Sequence, residues 1–171
     1  MSEDTLVATA SQTVGPFFHF GLTATPYDRL VDHFSAGTPI RLTIRVTDGD
    51  DLPVTDAMVE LSQAGMFGRM ATDADGRCEF ETVHPSPATG HDAARRAAHI
   101  LVCVFARGLL RHLFTRIYFR GDPALDDDPV LQLVPEERRH TLVAFPGEIL
   151  DAPWRFNLRL QGPDETVFFN V

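Results

Sequence analysis

The chain has 171 residues, of which 44% are hydrophobic, and this is enough for one domain with a buried core. A charged fraction of only 23%, together with thirteen phenylalanines, argues against disorder. The formal net charge of −9 disfavours nucleic acid as a partner, because its phosphates would be repelled. A small anionic ligand is not excluded, since one well-placed arginine can bind it locally.

The first residues are acidic, where a secretory signal would be basic and then apolar. The longest apolar run, residues 97–106, covers about half of the roughly 20 residues that a membrane helix needs. We therefore expect a soluble, cytoplasmic protein. Two cysteines do not make a disulfide scaffold in a chain of this size, so we expect Cys78 and Cys103 to be reduced. Cys103 is expected to act as a small buried hydrophobe.

Short segments with apolar residues at every second position dominate the first half of the chain. The first predicted strand covers residues 40–46, where Ile, Leu and Val alternate with Arg and Thr. Turns rich in Asp and Gly follow at 48–51 and 73–76, and they precede further predicted strands at 57–62 and 78–83. The alternation predicts strands with one apolar and one polar face.

In the second half, two almost continuously apolar segments, residues 99–106 and 113–119, predict strands that are buried on both faces. A proline followed by two acidic residues predicts a single helical turn at 135–139. The Ala-rich residues 92–98 are expected to form a loop with at most one turn. Three further strands are predicted, at 140–145, 154–160 and 166–170.

Eight or nine short strands with almost no helix indicate an all-β fold, an antiparallel β-sandwich with long loops and little helix. No repeat and no shift in composition marks a second domain. We therefore expect a single domain over residues 1–171, with an extended N-terminal arm at about 1–38. The sequence contains no Gly-rich phosphate loop and no Ser or Cys nucleophile motif.

Several motifs, in a consistent order along the chain, resemble one enzyme family. They are Ser-Gln-Thr-Val-Gly-Pro-Phe-Phe-His at 11–19, Leu-Thr-Ile-Arg-Val-Thr-Asp-Gly at 42–49, Pro-Val at 53–54, Val-Glu-Leu-Ser-Gln-Ala at 59–64, Ala-His-Ile at 98–100, Phe-Ala-Arg-Gly at 105–108, Thr-Arg-Ile-Tyr-Phe at 115–119, Arg-Phe-Asn-Leu-Arg-Leu-Gln-Gly at 155–162 and Glu-Thr-Val-Phe-Phe at 165–169. Together they resemble the intradiol ring-cleaving dioxygenases, most closely the noncatalytic α-type chains of members that cleave protocatechuate. The resemblance implies a sandwich of the prealbumin-like type.

The resemblance also implies that catalytic chains of this family hold Fe(III) with two Tyr and two His, the two His lying two residues apart on one strand. The matching strand here has His99 but then Leu101, which has no lone pair to donate. One Tyr position matches approximately Ala88, and the other belongs to an insertion that is shortened between Ala64 and Phe67. We therefore expect no metal in this chain and Fe(III) in a homologous partner, the β subunit. The two tyrosines of the chain lie at other positions, Tyr27 and Tyr118.

Four residues are candidates for substrate binding. From residue chemistry alone, two interpretations of Arg107 stay open. It either binds the substrate, or it lies at a strand end and neutralises a nearby acid. The resemblance favours a guanidinium that reaches the partner's pocket and pairs with a substrate carboxylate, or supports the loop that does so. Thr13, Gly15 and Pro16 are expected to line that pocket, since Gly permits close backbone approach and Pro stiffens the arm. The alternative is an ordinary N-terminal arm; Phe17 stands where related chains often carry Tyr.

Other ionisable residues are expected to be structural. His99 is interpreted as a hydrogen-bonded residue of the core and not as a catalytic base. The acidic residues 126–128 are expected to be solvated and to bind no calcium. The spacing of five further histidines predicts no metal site. These histidines are His19, His33, His91, His112 and His140.

The sequence therefore predicts a noncatalytic subunit that completes the active site of a β subunit, in which protocatechuate is cleaved by O2. A large obligate interface is expected, and the purified chain is expected to behave poorly without its partner. Two alternatives stay open. One is a transthyretin-like binding module without oxygenase activity, and the other is an autonomous intradiol enzyme with altered ligands.

Overall fold

A computed structural model describes residues 8–15, 17–30, 37–87, 96–149 and 152–170. Its strands, in chain order, are β1 (Pro39–Thr47), β2 (Met58–Gln63), β3 (Met66–Ala71), β4 (Arg77–Val83), β5 (His99–Phe105), β6 (Leu113–Phe119), β7 (Val143–Ala144) and β8 (Trp154–Arg159). The helical segments are α1 (Phe17–Leu22) and three 3-10 helices, η1 (Leu125–Asp127), η2 (Leu131–Leu133) and η3 (Glu136–Leu142). The predominance of strands confirms the predicted all-β fold.

The strands form two sheets, one with the order β4-β1-β8 and one with the order β3-β2-β5-β6-β7. Most neighbours are antiparallel, as predicted, but β8 runs parallel to β1 and β7 runs parallel to β6. Both sheets contribute side chains to one hydrophobic core, which confirms the predicted sandwich.

Strand β1 shows why alternation predicted the first strands correctly. Leu42, Ile44 and Val46 have no solvent exposure, whereas the Thr and Arg residues between them are half-buried. Side chains of the other sheet, including Leu61 and Val102, belong to the same core. Full burial of each such aliphatic side chain contributes roughly 2 kcal/mol to folding, so the strand is oriented with its apolar face toward the core.

Two aspartates organise the predicted turns. The Oδ1 atom of Asp48 accepts hydrogen bonds from the backbone N–H groups two and four residues further on, both at 2.9 Å. Asp73 Oδ1 accepts the equivalent pair at 2.9 and 2.8 Å. Each carboxylate satisfies backbone donors that the turn would otherwise leave unpaired, which is why Asp favours such positions.

Strand β3 was not predicted, because Gly68 interrupts its pattern and weakens strand propensity. The structure explains the glycine: Leu30 packs where a Cβ atom at Gly68 would lie. The neighbouring residue, Arg69, exchanges backbone hydrogen bonds with Tyr27 at 2.8 and 3.1 Å. Residues 27–30 therefore cover the free edge of β3 at the point where that strand has no side chain.

Three other segments differ from the sequence prediction. The strand predicted at 140–145 is wrong for its first half, because η3 continues to Leu142 and β7 has only two residues. The strand predicted at 166–170 is only an isolated bridge between Phe169 and Phe114. The helix α1 was not predicted at all. The loop predicted at 92–98 lies outside the described residues, apart from 96–98, which have no regular structure.

The prediction that β5 is buried on both faces is wrong. Ile100, Val102 and Val104 enter the core, but Leu101 on the outer face is 46% exposed. A second, smaller core covers the outer face of β6 instead, and it is formed by Ala97, Tyr118, Ala124, Leu131, Val134 and Leu142. This second core does not bury the outer face of β5, so the apolar residues on that face remain accessible to solvent.

The cysteines are free, as expected, but they differ in exposure. Cys103, on the outer face of β5, is only half-buried, so the prediction of a buried hydrophobe is wrong for it. Cys78, on β4, is buried. In the part of the chain that the structure describes, no helix is long and apolar enough to cross a membrane.

Candidate functional site

Three segments meet at a cavity of about 410 Å³ at the start of β5, which we call the His99 cavity. They are the β2–β3 hairpin, the residues that follow β4, and β5 itself. These are the segments in which the family resemblance locates metal ligands. The lining includes Gln63, Ala64, Gly65, His84, Pro85, His99 and Leu101.

The donors in this cavity do not fit the Fe(III) site of the family. The Nδ1 atom of His99 lies 2.9 Å from the carbonyl oxygen of Ala97 and donates to it, which leaves Nε2 as the nitrogen with a lone pair. Leu101 follows on the same face of the strand and offers no donor. Ala88, at the approximate position of one Tyr, lies outside the described residues. Within the described ranges, no group of three His, Cys, Asp or Glu side chains is placed to hold a metal.

The hairpin between β2 and β3 explains why the other Tyr position is missing. The strands pair up to Gln63 and Met66, so the connection consists only of Ala64 and Gly65. Both residues have positive φ, 47° and 85°, as in the tight two-residue turns that join antiparallel strands. Neither Ala64 nor Gly65, although both line the cavity, has a side chain that can bind a metal.

His84 is a second imidazole in the cavity that the sequence did not identify. Its Nδ1 donates to the carbonyl oxygen of Pro85 at 3.0 Å. Its ring lies 4.6 Å from the ring of Phe119 and 5.7 Å from that of Trp154, between centroids. No local pattern marks this histidine, because its place in the cavity depends on how the two sheets meet.

Asp128 anchors the segment that leads into β5. It has no solvent exposure, so the prediction of a solvated acid is wrong for this residue. Its carboxylate accepts hydrogen bonds from the Ala97 amide at 3.0 Å and from the Tyr118 hydroxyl at 3.0 Å. It also accepts from the amides of Val130 and Leu131, at 3.0 and 2.9 Å. A buried carboxylate requires several donors of this kind.

Burial shifts two pKa values beside this anchor. Burial, reinforced by the negative charge of Asp128, raises the pKa of Tyr118 to about 12, so its phenol stays protonated. Burial is also the main cause that lowers the pKa of His99, and the positive charge of Arg116 acts in the same direction. The ring centroids of His99 and Tyr118 lie 5.7 Å apart. Both groups are therefore neutral near pH 7, as expected of structural residues.

A tight turn, residues 106–109, follows the opposite end of β5 and is called the arginine turn here. The Leu109 amide donates to the carbonyl oxygen of Ala106 at 3.3 Å, and Gly108 has a φ of 87°. A positive φ at the third residue is what a type II turn requires, which explains the glycine after Arg107. Arg107 occupies the corner of the turn, and its side chain is 70% exposed.

Two side chains from other parts of the chain hold the arginine turn. The Nε atom of Arg107 forms an ion pair with the Oδ2 atom of Asp56, which lies just before β2. On the N-terminal arm, the hydroxyl oxygen of Thr13 accepts a hydrogen bond from the Gly108 amide at 2.8 Å. The structure therefore brings two of the predicted site residues, Thr13 and Arg107, to one turn. Asp56 was not identified from the sequence.

The remaining candidates are only partly described. Gly15 is exposed, and its carbonyl oxygen accepts the Phe18 amide at 3.2 Å. Among the described residues, no atom lies within 4 Å of the position that a Cβ would take. Pro16 lies outside the described residues, and so does the side chain of Phe17. Residues Gln12 and Val14 of the arm line a small cavity with Phe105, Leu109, Leu110 and His112. The arm therefore packs along the residues that follow β5.

The His99 cavity and the arginine turn lie at opposite ends of the same strand. Seven residues of β5 separate them, which corresponds to about 20 Å at roughly 3.3 Å per residue. An arginine side chain cannot span that distance. Arg107 therefore cannot reach the cavity of its own chain.

Comparisons with known proteins identify the relatives of this chain. A family model described as "Dioxygenase" matches residues 64–162. The protocatechuate 3,4-dioxygenase alpha chain of Burkholderia cepacia is 41% identical over 98% of this chain and 99% of its own length. The beta chain of the enzyme from the same organism is 34% identical over 76% of this chain and 67% of its own length.

The fold comparison agrees with the sequence comparison. The dioxygenase domain of a carbohydrate-binding fusion protein from Streptomyces sp. SirexAA-E superposes with a TM-score of 0.65 at 23% identity, covering 80% of this chain and 88% of that domain. At this identity the match supports the sandwich alone. The nearly full-length sequence identity shows more: the chain belongs to the intradiol ring-cleavage dioxygenase family.

Proposed function

We propose that this chain is the noncatalytic alpha subunit of a protocatechuate 3,4-dioxygenase and that it completes the active site of a homologous beta subunit. The observation that carries the proposal is the 41% identity to an alpha chain over nearly the whole of both chains. The His99 cavity supports it, because its donors do not fit the metal of the family. We assign residues 1–171 to one domain and the protein to the cytoplasm.

The two subunits have different roles at the active site. The beta subunit holds Fe(III), and at its site protocatechuate is cleaved by O2 to 3-carboxy-cis,cis-muconate. This chain supplies a wall of that site. Arg107 is suited to the role because it is exposed, sits at the corner of a tight turn and lies at the far end of β5 from the His99 cavity. Its guanidinium pairs with the carboxylate of the substrate.

The N-terminal arm forms the rest of this wall. The hydroxyl of Thr13 accepts a hydrogen bond from the Gly108 amide, so the arm lies directly beside the arginine turn. Gly15 presents bare backbone two residues further on, with open space where a side chain would be. Pro16 follows it and stiffens the path of the arm. Together with Arg107, these residues line the pocket of the partner.

Co-expression with a homologous beta chain tests the assignment. The complex should cleave protocatechuate, whereas the chain purified alone should be inactive and poorly monodisperse. Metal analysis should find no stoichiometric iron in the isolated chain. Stoichiometric iron with a visible phenolate-to-iron absorption band would instead identify an autonomous enzyme. A monodisperse, inactive chain that does not associate with beta would support a transthyretin-like binding module.

Replacing Arg107 tests the carboxylate role directly. In the complex, Arg107→Ala should raise the KM for protocatechuate by about tenfold or more, since a charged hydrogen bond of about 1.5 kcal/mol or more is lost. The KM for catechol, which lacks the carboxylate, should change much less. Arg111→Ala removes a positive charge four residues away from the turn corner and serves as the control. Equal effects of Arg107→Ala on both substrates would contradict the role.

A further inference from the structure

The ladder between β2 and β5 brings Asp56 to Arg107. The two strands are antiparallel, and Met58 lies opposite Phe105 at the end of their pairing. Asp56 and Arg107 each lie two residues beyond this pair, in the turns that flank this end of the ladder. The ion pair therefore joins two turns that the pairing of β2 with β5 brings together.

The ion pair uses one edge of the guanidinium and leaves another edge available. Asp56 contacts Nε, while the arginine side chain remains 70% exposed. Among the described residues, no hydrogen bond to the two Nη groups of Arg107 is present. These two groups carry parallel N–H donors at the end of the side chain, which is the edge that binds a carboxylate in bidentate fashion.

The aspartate is better placed than the arginine to act as the fixed member of the pair. Asp56 is only 24% exposed and precedes the first residues of β2, which are buried. A free arginine on a surface samples many rotamers, and ordering it on binding weakens the affinity for the ligand. A carboxylate that holds Nε removes part of that cost before the substrate arrives.

We propose that Asp56 is a positioning residue that orients Arg107, so that the Nη edge faces the carboxylate of an aromatic acid bound in the partner's site. Because Asp56 acts through Arg107, this role rests on the proposed function. The opposite role is also chemically possible: Asp56 neutralises Arg107 and competes with the substrate carboxylate. The two roles predict changes of opposite sign in KM.

The test uses the complex of this chain with its homologous beta chain and measures KM for protocatechuate and for catechol. Asp56→Ala should raise the KM for protocatechuate about three- to tenfold, the size of the ordering cost of one long side chain, and leave the KM for catechol unchanged. In the Arg107→Ala background, Asp56→Ala should have no further effect. Glu148→Ala, which removes the acid from the exposed Arg155 pair at 3.2 Å, is the matched control and should change neither constant.

Asp56→Asn provides a second measurement and keeps the test decisive if the Ala variant does not assemble. The amide retains an acceptor oxygen without the charge, so the KM for protocatechuate should rise about twofold, less than with Ala. This rise should also vanish in the Arg107→Ala background. A fall in KM with either variant, an equal effect on catechol, or an effect that persists without Arg107 would overturn the positioning role.

The outcomes separate this inference from the proposal on which it rests. If Arg107→Ala selectively impairs protocatechuate and the Asp56 variants do not, only the positioning role fails. If Arg107→Ala itself shows no selectivity, the carboxylate role of Arg107 fails, and the role of Asp56 fails with it.

Discussion

The two ends of β5 differ in what they offer to chemistry. At its start, the His99 cavity is lined by the segments in which the family resemblance locates metal ligands, but β5 supplies one imidazole followed by Leu101. At its end, the arginine turn presents an exposed guanidinium held by Asp56 and an arm held through Thr13. The same strand therefore lacks the donors of the family's metal site at one end and is followed by an exposed arginine at the other.

The comparison teaches that the two ends depend on different features of the fold. The arginine turn needs only a glycine with positive φ and the register between β2 and β5. Although the β2–β5 ladder also reaches the His99 cavity, where Ser62 pairs with Leu101, no residue of the arginine turn lines that cavity. A β-sandwich of this kind can therefore lack metal-binding side chains at one end of a strand and keep an exposed arginine at the other.

The largest expected effect concerns the cavity end, where Asp128 fastens the segment before β5. Asp128→Ala should lower the free energy of unfolding by about 3 kcal/mol or more, because Tyr118 and three backbone amides lose their acceptor. Urea denaturation of the complex with the beta subunit, at one fixed protein concentration, measures this. Asp126→Ala removes an exposed acid from the same run and should change the value by less than about 0.5 kcal/mol. Similar values for both variants would mean that the anchor is not essential to this end.

A smaller effect is expected at the arginine turn. Gly108→Ala places a Cβ at a φ of 87°, which costs about 1 kcal/mol of stability although no atom obstructs it. Gly15→Ala also meets no atom and has no positive φ, so its free energy of unfolding should stay within about 0.5 kcal/mol of the wild type. The same denaturation measurement compares the two. Loss of stability in the Gly15 variant alone would contradict the turn geometry.

The smallest effect is the pH dependence caused by His99. Burial lowers its pKa in the folded chain below the ordinary 6.5, so below pH 6.5 the unfolded chain binds more protons than the folded one. The stability associated with neutral His99 is complete above pH 6.5 and is lost as the pH falls toward the folded pKa. The wild type should therefore lose more unfolding free energy than His99→Gln between about pH 7.5 and about pH 5.5. A wild type that gains stability relative to the variant over this range would show that the sign is wrong.

Much of the architecture could be read from local patterns. The alternation around Leu42 and Phe156 predicted strands because burial of every second side chain requires only a few neighbouring residues. The aspartate turns are equally local. The sequence also predicted the shortage of metal donors, because it contains Leu101 on the ligand strand and a short connection after Ala64. The importance of Arg107 came from the family resemblance, since its chemistry alone left two interpretations open.

Tertiary structure decided the features whose partners are far apart in the chain. The sequence predicted that Asp128 is one of three solvated acids. In the structure it is a buried anchor that binds the amide of Ala97, thirty-one residues away. The sequence did not predict a strand at Gly68, because a glycine interrupts the pattern. In the structure, Leu30 packs where a Cβ atom at this position would lie. Asp56 meets Arg107 across fifty-one residues because β2 and β5 are neighbours in the sheet. Periodicity determines which face of a strand is apolar, but the order of strands in a sheet determines which side chains meet, and that order arises from packing of the whole chain.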